Sequence, residues 1–128
     1  MNIIIHRGTH QIGGSAIEIS TASTRIILDF GNELSLDEKY IPINLDIDGV
    51  TKGMPDCDGI VISHYHIDHL GQLTSALPEI PLYMGKLSKE VAMIATEHQD
   101  KDLYLRLLGA NTFRGGEAFT IGNIHIRP

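Results

Sequence analysis

The stretch from Ser63 to Gly71 constrains this chain more than any other part of the sequence. It reads Ser-His-Tyr-His-Ile-Asp-His-Leu-Gly and directly follows an apolar run, Gly59 to Ile62. A buried imidazole or carboxylate without a partner is costly, so three histidines and one aspartate at a strand end need a positive group on which to converge. A divalent metal ion meets that need, because zinc accepts neutral imidazole and carboxylate ligands and, in catalytic sites, keeps a position open for water.

The spacing within this stretch indicates how the ligands are shared. Alternate residues of an extended chain point to the same side, so His64 and His66 can bind one ion. Asp68 and His69 lie where the chain leaves the strand, and they can reach a second ion about 3.5–4 Å from the first. Two metal ions are therefore predicted. A surface loop that happens to be rich in histidine is the alternative, since short motifs carry false positives.

The pattern His64-x-His66-x-Asp68-His69, followed by Leu70-Gly71, resembles the signature of the metallo-β-lactamase superfamily of metal-dependent hydrolases. In that family the first two histidines hold one zinc, the aspartate and the adjacent histidine hold the other, and a bridging hydroxide attacks the substrate. The resemblance implies the same roles here and makes Asp68 a catalytic residue. A histidine directly after the aspartate resembles the nuclease, thiolester-hydrolase and oxidoreductase branches, so lactam hydrolysis is disfavoured.

A second stretch, Ile27 to Gly31, resembles the first motif of the same family, a strand that ends in Asp and Gly. The resemblance implies that Asp29 supports the ligand loop through hydrogen bonds, and we place Ser63 in the same supporting role. An ordinary strand-end aspartate that caps a turn is the alternative. His6 and His10 stay outside the predicted metal shell, because a single histidine in a strand or loop is more often solvated or hydrogen-bonded.

Composition limits the remaining possibilities. A chain of 128 residues with 42% hydrophobic content suits one small globular domain or half of a larger one. The single cysteine, Cys57, excludes an intrachain disulfide and fits a reducing compartment. Without a bilayer-length apolar run or a signal pattern, a cytoplasmic location with no membrane contact is expected. The formal net charge of −6 argues against a strong nonspecific nucleic-acid footprint. It leaves a nuclease open, because two bound dications would reverse the local field.

Periodicity predicts a β-meander followed by mixed structure. The predicted strands are Asn2–His6, Ser15–Ser20, Arg25–Asp29, Cys57–Ser63, Leu82–Met84 and Ile121–Ile126. Leucines at helical spacing after the motif predict an amphipathic helix. A second helix begins at Ser88 as N-cap, and the segment from Asp100 to Leu108 can continue it. The long segment 32–51, with a helical turn near 36–40, is predicted to border the substrate cleft.

The section from Ile80 to Pro128 most resembles the ribonuclease J-like branch of the superfamily. The implied fold class is α/β (α+β), with residues 1–128 forming the N-terminal half of an αββα sandwich. That half is expected to hold a mixed, largely antiparallel sheet with helices on one face. In the family a third His, a bridging Asp and a last His follow a strand like the one that ends at Pro128, and they are missing from this sequence.

The resemblance implies a zinc-dependent hydrolase with two ions in its complete site, which cleaves RNA at phosphodiester bonds. The 128 residues alone are expected to be inactive, because they offer two motif ligands to each ion. A thiolester hydrolase of the glyoxalase II type and a non-catalytic, self-associating fragment are the alternatives. Besides RNA, the expected partner is a second copy in a homodimer or the missing C-terminal half, because the inner face of a half-sandwich expects a second sheet.

Overall fold

The computed structural model describes residues 1–35 and 43–128. The helical turn predicted near 36–40 lies outside the described residues. Within the described ranges, the order of strands and helices follows the predicted progression from a β-meander to mixed structure.

A six-stranded mixed sheet forms the centre of the structure, with its strands in sequence order. They are β1 Asn2–Arg7, β2 Ala16–Ser20, β3 Arg25–Leu28, β4 Gly59–Ile62, β5 Leu82–Gly85 and β6 Asn111–Phe113. The first three strands pair antiparallel, which confirms the predicted meander. The three pairings from β3 to β6 are parallel. The sheet is therefore mixed, as predicted, but the prediction that it is largely antiparallel is wrong. Parallel neighbours need long crossover connections, and here the segment before β4 and the helical segments after β4 and β5 supply them.

The helices of residues 1–35 and 43–128 lie on one face of the sheet, as predicted. They are α1 Ile67–Leu70, a 3₁₀ turn Leu73–Ser75, α2 Lys86–Thr96 and α3 Lys101–Leu108. Their buried side chains form one core with the strand residues that face them. The strands contribute Ile27, Ile60, Ile62, Leu82 and Met84, and the helical segments contribute Leu70, Leu73, Ala92, Leu103 and Leu107. On the opposite face a hairpin of β7 Phe119–Ile121 and β8 Ile124–Ile126 packs through Ile121 against Ile26 and Val61.

Strand β4 is buried on both faces, and all four of its residues are buried. Ile60 and Ile62 face the helices, whereas Val61 faces the hairpin. A strand that is covered on both sides reads as a continuous apolar run, which explains the pattern that precedes the histidine motif. The same burial fixes the end of β4, and therefore the start of the ligand loop at Ser63.

The amphipathic helix predicted after the motif rested on three apolar residues at helical spacing: Leu70, Leu73 and Leu77. The prediction of one continuous helix is wrong, because α1 has four residues and ends at the first of these leucines. The backbone N–H of Gln72 donates to the carbonyl of Phe30 at 2.8 Å, which draws the chain out of the helix toward the end of β3. All three leucines nevertheless contact the helix-side core. The helical spacing of the leucines therefore indicates that their side chains are buried on the same side, but it does not indicate the length of the helix.

The second predicted helix divides into two. Helix α2 begins before Ser88, with Gly85 at its N-cap, so the predicted N-cap is wrong. The buried Ser88 hydroxyl has no hydrogen-bond partner among the described residues. Helix α3 is separate, because the Asp100 side chain accepts a hydrogen bond from the N–H of Leu103 at 3.0 Å and caps a new start. It ends before Gly109, as predicted.

The segment predicted as one strand, Ile121 to Ile126, spans the turn of the β7–β8 hairpin instead. Gly122 lies in the turn and adopts a φ of 53°. Residues with a side chain rarely adopt this conformation, whereas glycine adopts it readily. The tip then contacts the β2–β3 turn, where the N–H of Asn123 donates to the Thr24 hydroxyl at 3.1 Å. The hairpin is thus held against the sheet by its tip as well as by its apolar residues.

The β7–β8 hairpin does not cover strand β1 on its side of the sheet. Ile3 and Ile5 of β1 are exposed, and they pair across the ladder with Ile19 and Ile17. An exposed apolar strand at a sheet edge invites further pairing or packing, and the expected dimer or association with a second half stays a prediction. Within residues 1–35 and 43–128, no helix has the length and apolar character to cross a bilayer.

A buried ion cluster lies at the meander end of the helix face. The Glu18 carboxylate accepts hydrogen bonds from Arg25 at 2.9 Å and from His6 at 3.0 Å. Burial opposes ionisation of Glu18, but the hydrogen bonds from Arg25 and His6 outweigh it, and its pKa lies below the ordinary value. Arg25 also donates to the carbonyls of Asp48 and Asp56 at 2.9 and 3.0 Å, so the cluster anchors the connection between β3 and β4.

We expect Glu18→Gln to lower the free energy of unfolding of the 128-residue chain by about 1–3 kcal/mol at neutral pH, because Arg25 keeps its charge and loses its partner. A carboxyl with a depressed pKa stabilises the fold above its unfolded pKa, and this contribution is lost as pH falls through the folded value. The difference from wild type should therefore shrink below about pH 4. Urea unfolding at several pH values measures it, with the exposed Glu90→Gln as control. A difference that does not change with pH would contradict the assignment.

Candidate metal centre

The predicted ligands lie together where the chain leaves β4. The ring of His64 contacts those of His66 and His69, with centroid separations of 4.7 and 4.0 Å. Asp68 approaches the same group through its carboxylate, 3.3 Å from the nearer nitrogen of His69. The structure therefore brings all four residues to one place, and their binding of a metal stays a prediction.

The first predicted pair has the separation that one ion requires. The Nε2 atom of His64 lies 3.1 Å from Nδ1 of His66. Two ligand atoms bound tetrahedrally at 2.0–2.1 Å stand about 3.3–3.4 Å apart. These imidazoles could therefore hold one zinc with only a small adjustment.

The second pair has a similar separation, since Oδ2 of Asp68 lies 3.3 Å from Nε2 of His69. In the part of the chain that the structure describes, no three His, Cys, Asp or Glu side chains are placed to hold one ion together. The site thus presents two pairs of donors and no closed cage. Each ion would need further ligands to reach the coordination of a catalytic zinc site.

Asp29 joins β3 to the ligand loop. Its carboxylate accepts hydrogen bonds from the N–H of Ser63 at 2.7 Å, from the Ser63 hydroxyl at 2.9 Å and from Nδ1 of His69 at 2.7 Å. A histidine that donates from Nδ1 keeps the lone pair on Nε2 free. Asp29 therefore sets the tautomer of His69 in which the metal-binding nitrogen faces Asp68. The supporting contact predicted for Asp29 is present in the structure.

Ser63 extends the same hydrogen-bond chain to the other pair. Because its hydroxyl hydrogen is donated to Asp29, its oxygen can accept from Nδ1 of His64, which lies 3.0 Å away. That arrangement leaves Nε2 of His64, the atom near His66, with a free lone pair. One carboxylate and one hydroxyl therefore orient a nitrogen in each donor pair.

The electrostatic environment favours the neutral imidazole at His64. Burial lowers the pKa of His64, and the neighbouring His69 and His66 lower it further, against the opposing effect of Asp29 and Asp68. Metal ligation requires a deprotonated nitrogen. The burial of His64 and its closeness to two other imidazoles therefore favour the deprotonated nitrogen that metal binding requires.

Backbone pairing holds the ligand loop from the β3 side. The N–H of Phe30 donates to the carbonyl of His69 at 2.7 Å, and the N–H of Asn32 donates to that of Ile67 at 3.0 Å. Gln72, which is buried, also donates from its side chain to Asn32 at 2.6 Å. The residues after Asp29 thus run along α1 and support its backbone.

Arg7 is a supporting residue that the sequence analysis missed. Its guanidinium donates to the carbonyls of Gly14, Gly31 and Ile43, and so it ties together three segments that surround the ligand loop. These partners lie 7, 24 and 36 positions away in the sequence. No local motif marks such a contact, and only the folded arrangement reveals it.

Gly31 lies where the backbones of the two loops come closest. A Cβ atom at this position would overlap the carbonyl group of Asp68 and the backbone nitrogen of His69. These are backbone atoms of two predicted ligands, so no side chain can move aside to make room. The close packing of the ligand loop on β3 therefore requires glycine here.

We expect Gly31→Ala to lower the free energy of unfolding by about 1–3 kcal/mol or more, because the methyl group must displace the ligand loop. Gly115→Ala is the control, since nothing lies within 4 Å of a Cβ built there, and its effect should stay within about 0.5 kcal/mol. Urea unfolding of the 128-residue chain compares the two variants. Equal stability of Gly31→Ala and wild type would show that the loops are not packed as described.

No family model matches the chain. Among curated proteins it is 32% identical over 97 residues to the probable RNase MJ4 of Methanocaldococcus jannaschii, across 73% of this chain and 21% of that protein. It is 37% identical over 110 residues to the RNase aCSPSF2 of Saccharolobus solfataricus, across 80% of this chain and 19% of that protein. The chain thus spans about a fifth of the length of these two relatives.

A solved structure supports the fold. A protein of unknown function from Enterococcus faecalis V583 superimposes with a TM-score of 0.76, across 96% of this chain and 36% of that one, at 20% sequence identity. The likeness bears on the fold alone, whereas the ribonuclease relatives and the His-x-His-x-Asp-His motif bear on the family. The chain belongs to the metallo-β-lactamase superfamily, in its ribonuclease J-like branch.

Proposed function

We propose that this chain supplies the first ligands of a two-zinc site that hydrolyses phosphodiester bonds in RNA. The observation that carries the proposal is the pair of donor sets, with separations of 3.1 and 3.3 Å, in which Asp29 and Ser63 orient one nitrogen each. The choice of RNA is supported by the names of the relatives, a probable RNase and an RNase.

The donor chemistry fits zinc, because three imidazoles and a carboxylate are among its common ligands. His64 and His66 would hold one ion, and Asp68 and His69 the other. Bound zinc would supply a hydroxide at neutral pH and positive charge beside the phosphate. Asp29 keeps His69 in the tautomer that ligation requires, and Ser63 does the same for His64. The carboxylate of Asp68 also offers an acceptor that can hydrogen-bond and orient water.

The described residues provide two ligands for each ion, and a catalytic zinc commonly takes three. We propose that the remaining ligands come from outside these residues, either from the rest of a longer protein or from a second chain. RNA cleavage would then be a property of the whole site. The 128-residue chain would bind zinc weakly and turn over RNA poorly.

We expect zinc to bind the 128-residue chain and His66→Ala to weaken this binding by about 100-fold or more, because even the loss of a supporting partner typically costs 10–100-fold. His98→Ala is a matched control, since that side chain is exposed at the end of α2 and far from the motif in sequence. Calorimetric titration measures both. Equal affinity in wild type and His66→Ala would rule out the first donor pair.

We expect the whole protein, loaded with zinc, to cleave labelled single-stranded RNA, and Asp68→Ala to slow this by at least about 100-fold. Asp102→Ala, an exposed acid on α3, should cleave as wild type does. A thiolester assayed in parallel tests the competing chemistry. Thiolester hydrolysis without RNA cleavage would refute the ribonuclease assignment. Brisk RNA turnover by the 128-residue chain, lost in Asp68→Ala, would show that the chain needs no further ligands.

A further inference from the structure

A cavity of about 450 Å³ lies beside the ligand loop, between α1 and the junction of α2 with α3. Its inner wall is apolar and includes Leu70, Ala92 and Leu103, all of them buried. Its outer part carries polar groups of Gln99 and Asp100. This volume falls within the range of small-molecule sites, and apolar walls with a few polar groups are typical of such sites.

Tyr65 and His66 place the cavity next to the metal centre. Both residues line it, and His66 is also one of the predicted ligands. Their ring centroids lie 4.8 Å apart with an angle of 80° between the planes, so the rings do not stack face to face. Tyr65 is 42% exposed, although tyrosine has a large apolar ring. A flat partner could therefore stack on Tyr65 beside the predicted ligand His66.

The charge of the cavity indicates which part of a nucleotide fits. None of its lining residues, all within the described ranges, is lysine or arginine, and Asp100 adds a negative charge. A phosphate would be repelled, whereas a neutral base could hydrogen-bond through its edge. The amide of Gln99 offers both a donor and an acceptor, and the carboxylate of Asp100 adds acceptors. Single-stranded RNA is commonly recognised through bases that stack on aromatic side chains in this way.

We propose that this cavity binds one base of the RNA strand, stacked on Tyr65, so that a neighbouring phosphodiester lies at the His66 side of the metal centre. The inference rests on the proposed ribonuclease function and adds to it a subsite that holds the substrate. Tyr65 acts here as a binding residue, and the cavity fixes which phosphate of the strand reaches the ligands.

The test uses the ¹⁵N-labelled 128-residue chain in EDTA, so that neither metal nor cleavage contributes. Adenosine 5′-monophosphate at millimolar concentration should shift the amide signals of residues 65–70 and 92–103, whereas ribose 5-phosphate should not. Tyr65→Ala should weaken this binding about 5- to 150-fold, the usual effect of removing a stacking ring. Tyr65→Phe keeps the ring and should bind within about threefold of wild type. Tyr104→Ala, whose side chain lines a separate cavity with Met93 and Glu97, should leave binding unchanged.

A second variant covers the case in which Tyr65→Ala disturbs the ligand loop. Ala95 is exposed at the mouth of the cavity, so Ala95→Phe should fill it and block the nucleotide while the rest of the spectrum stays that of wild type. Absent shifts, equal shifts with ribose 5-phosphate, or binding that neither variant reduces would overturn the inference. Base binding without RNA cleavage by the whole protein would instead count against the proposed function, so the two failures are distinguishable.

Discussion

The hydrogen bonds that converge on the Asp29 carboxylate are the constraint on which the rest of the site depends. This one group accepts from the backbone and hydroxyl of Ser63 and from the ring of His69. It does so from a backbone with a φ of 56°, a conformation that aspartate tolerates better than most residues. Charged acceptors make shorter and stronger hydrogen bonds. Without the Asp29 carboxylate, His69 would lose the acceptor that selects its tautomer. The Ser63 hydroxyl, which orients His64, would lose its own acceptor.

The topology of the sheet places Asp29 where it can act. Strands β3 and β4 are parallel neighbours in which Leu28 pairs with Val61, so the residues that follow them leave the sheet at the same edge. Asp29 then faces Ser63, and the segment after it runs along the ligand loop. Ligands of sheets with parallel strands commonly bind beyond the carboxyl ends of those strands. The parallel pairing of β3 with β4, in a sheet predicted to be mixed but largely antiparallel, is therefore the feature that builds the site.

Sequence motifs predict the position of the site better than they predict where the helices and strands begin and end. The closeness of the four predicted ligands, the buried strand before them and the contact of Asp29 with the ligand loop follow from short motifs and alternation within a few residues. The helix after the motif was overestimated, because the bond from Gln72 to Phe30 crosses between distant segments. Gly31 was recognised as part of a motif, but its contact with the backbone of Asp68 appears only in three dimensions. No sequence motif indicates the contacts of Arg7, because its partners are distant in sequence and are backbone carbonyl groups, which every residue has.

The proposed cleavage of RNA needs a local source of positive charge, because this chain is acidic. The formal net charge is −6, and Asp29 and Asp68 add negative charge at the site. Two dications would reverse that local field, so metal binding depends on the orientation of His64 and His69 and on the neutral form of His64 that its lowered pKa favours. The most direct test is the tautomeric state of His69 and His64 in the metal-free chain, measured by long-range ¹H–¹⁵N correlation of the imidazole rings. We expect a proton on Nδ1 and a bare Nε2 in both rings, and we expect His69 to lose this preference in Asp29→Asn. A proton on Nε2 of His69, or a tautomer unchanged in Asp29→Asn, would contradict the role assigned to Asp29.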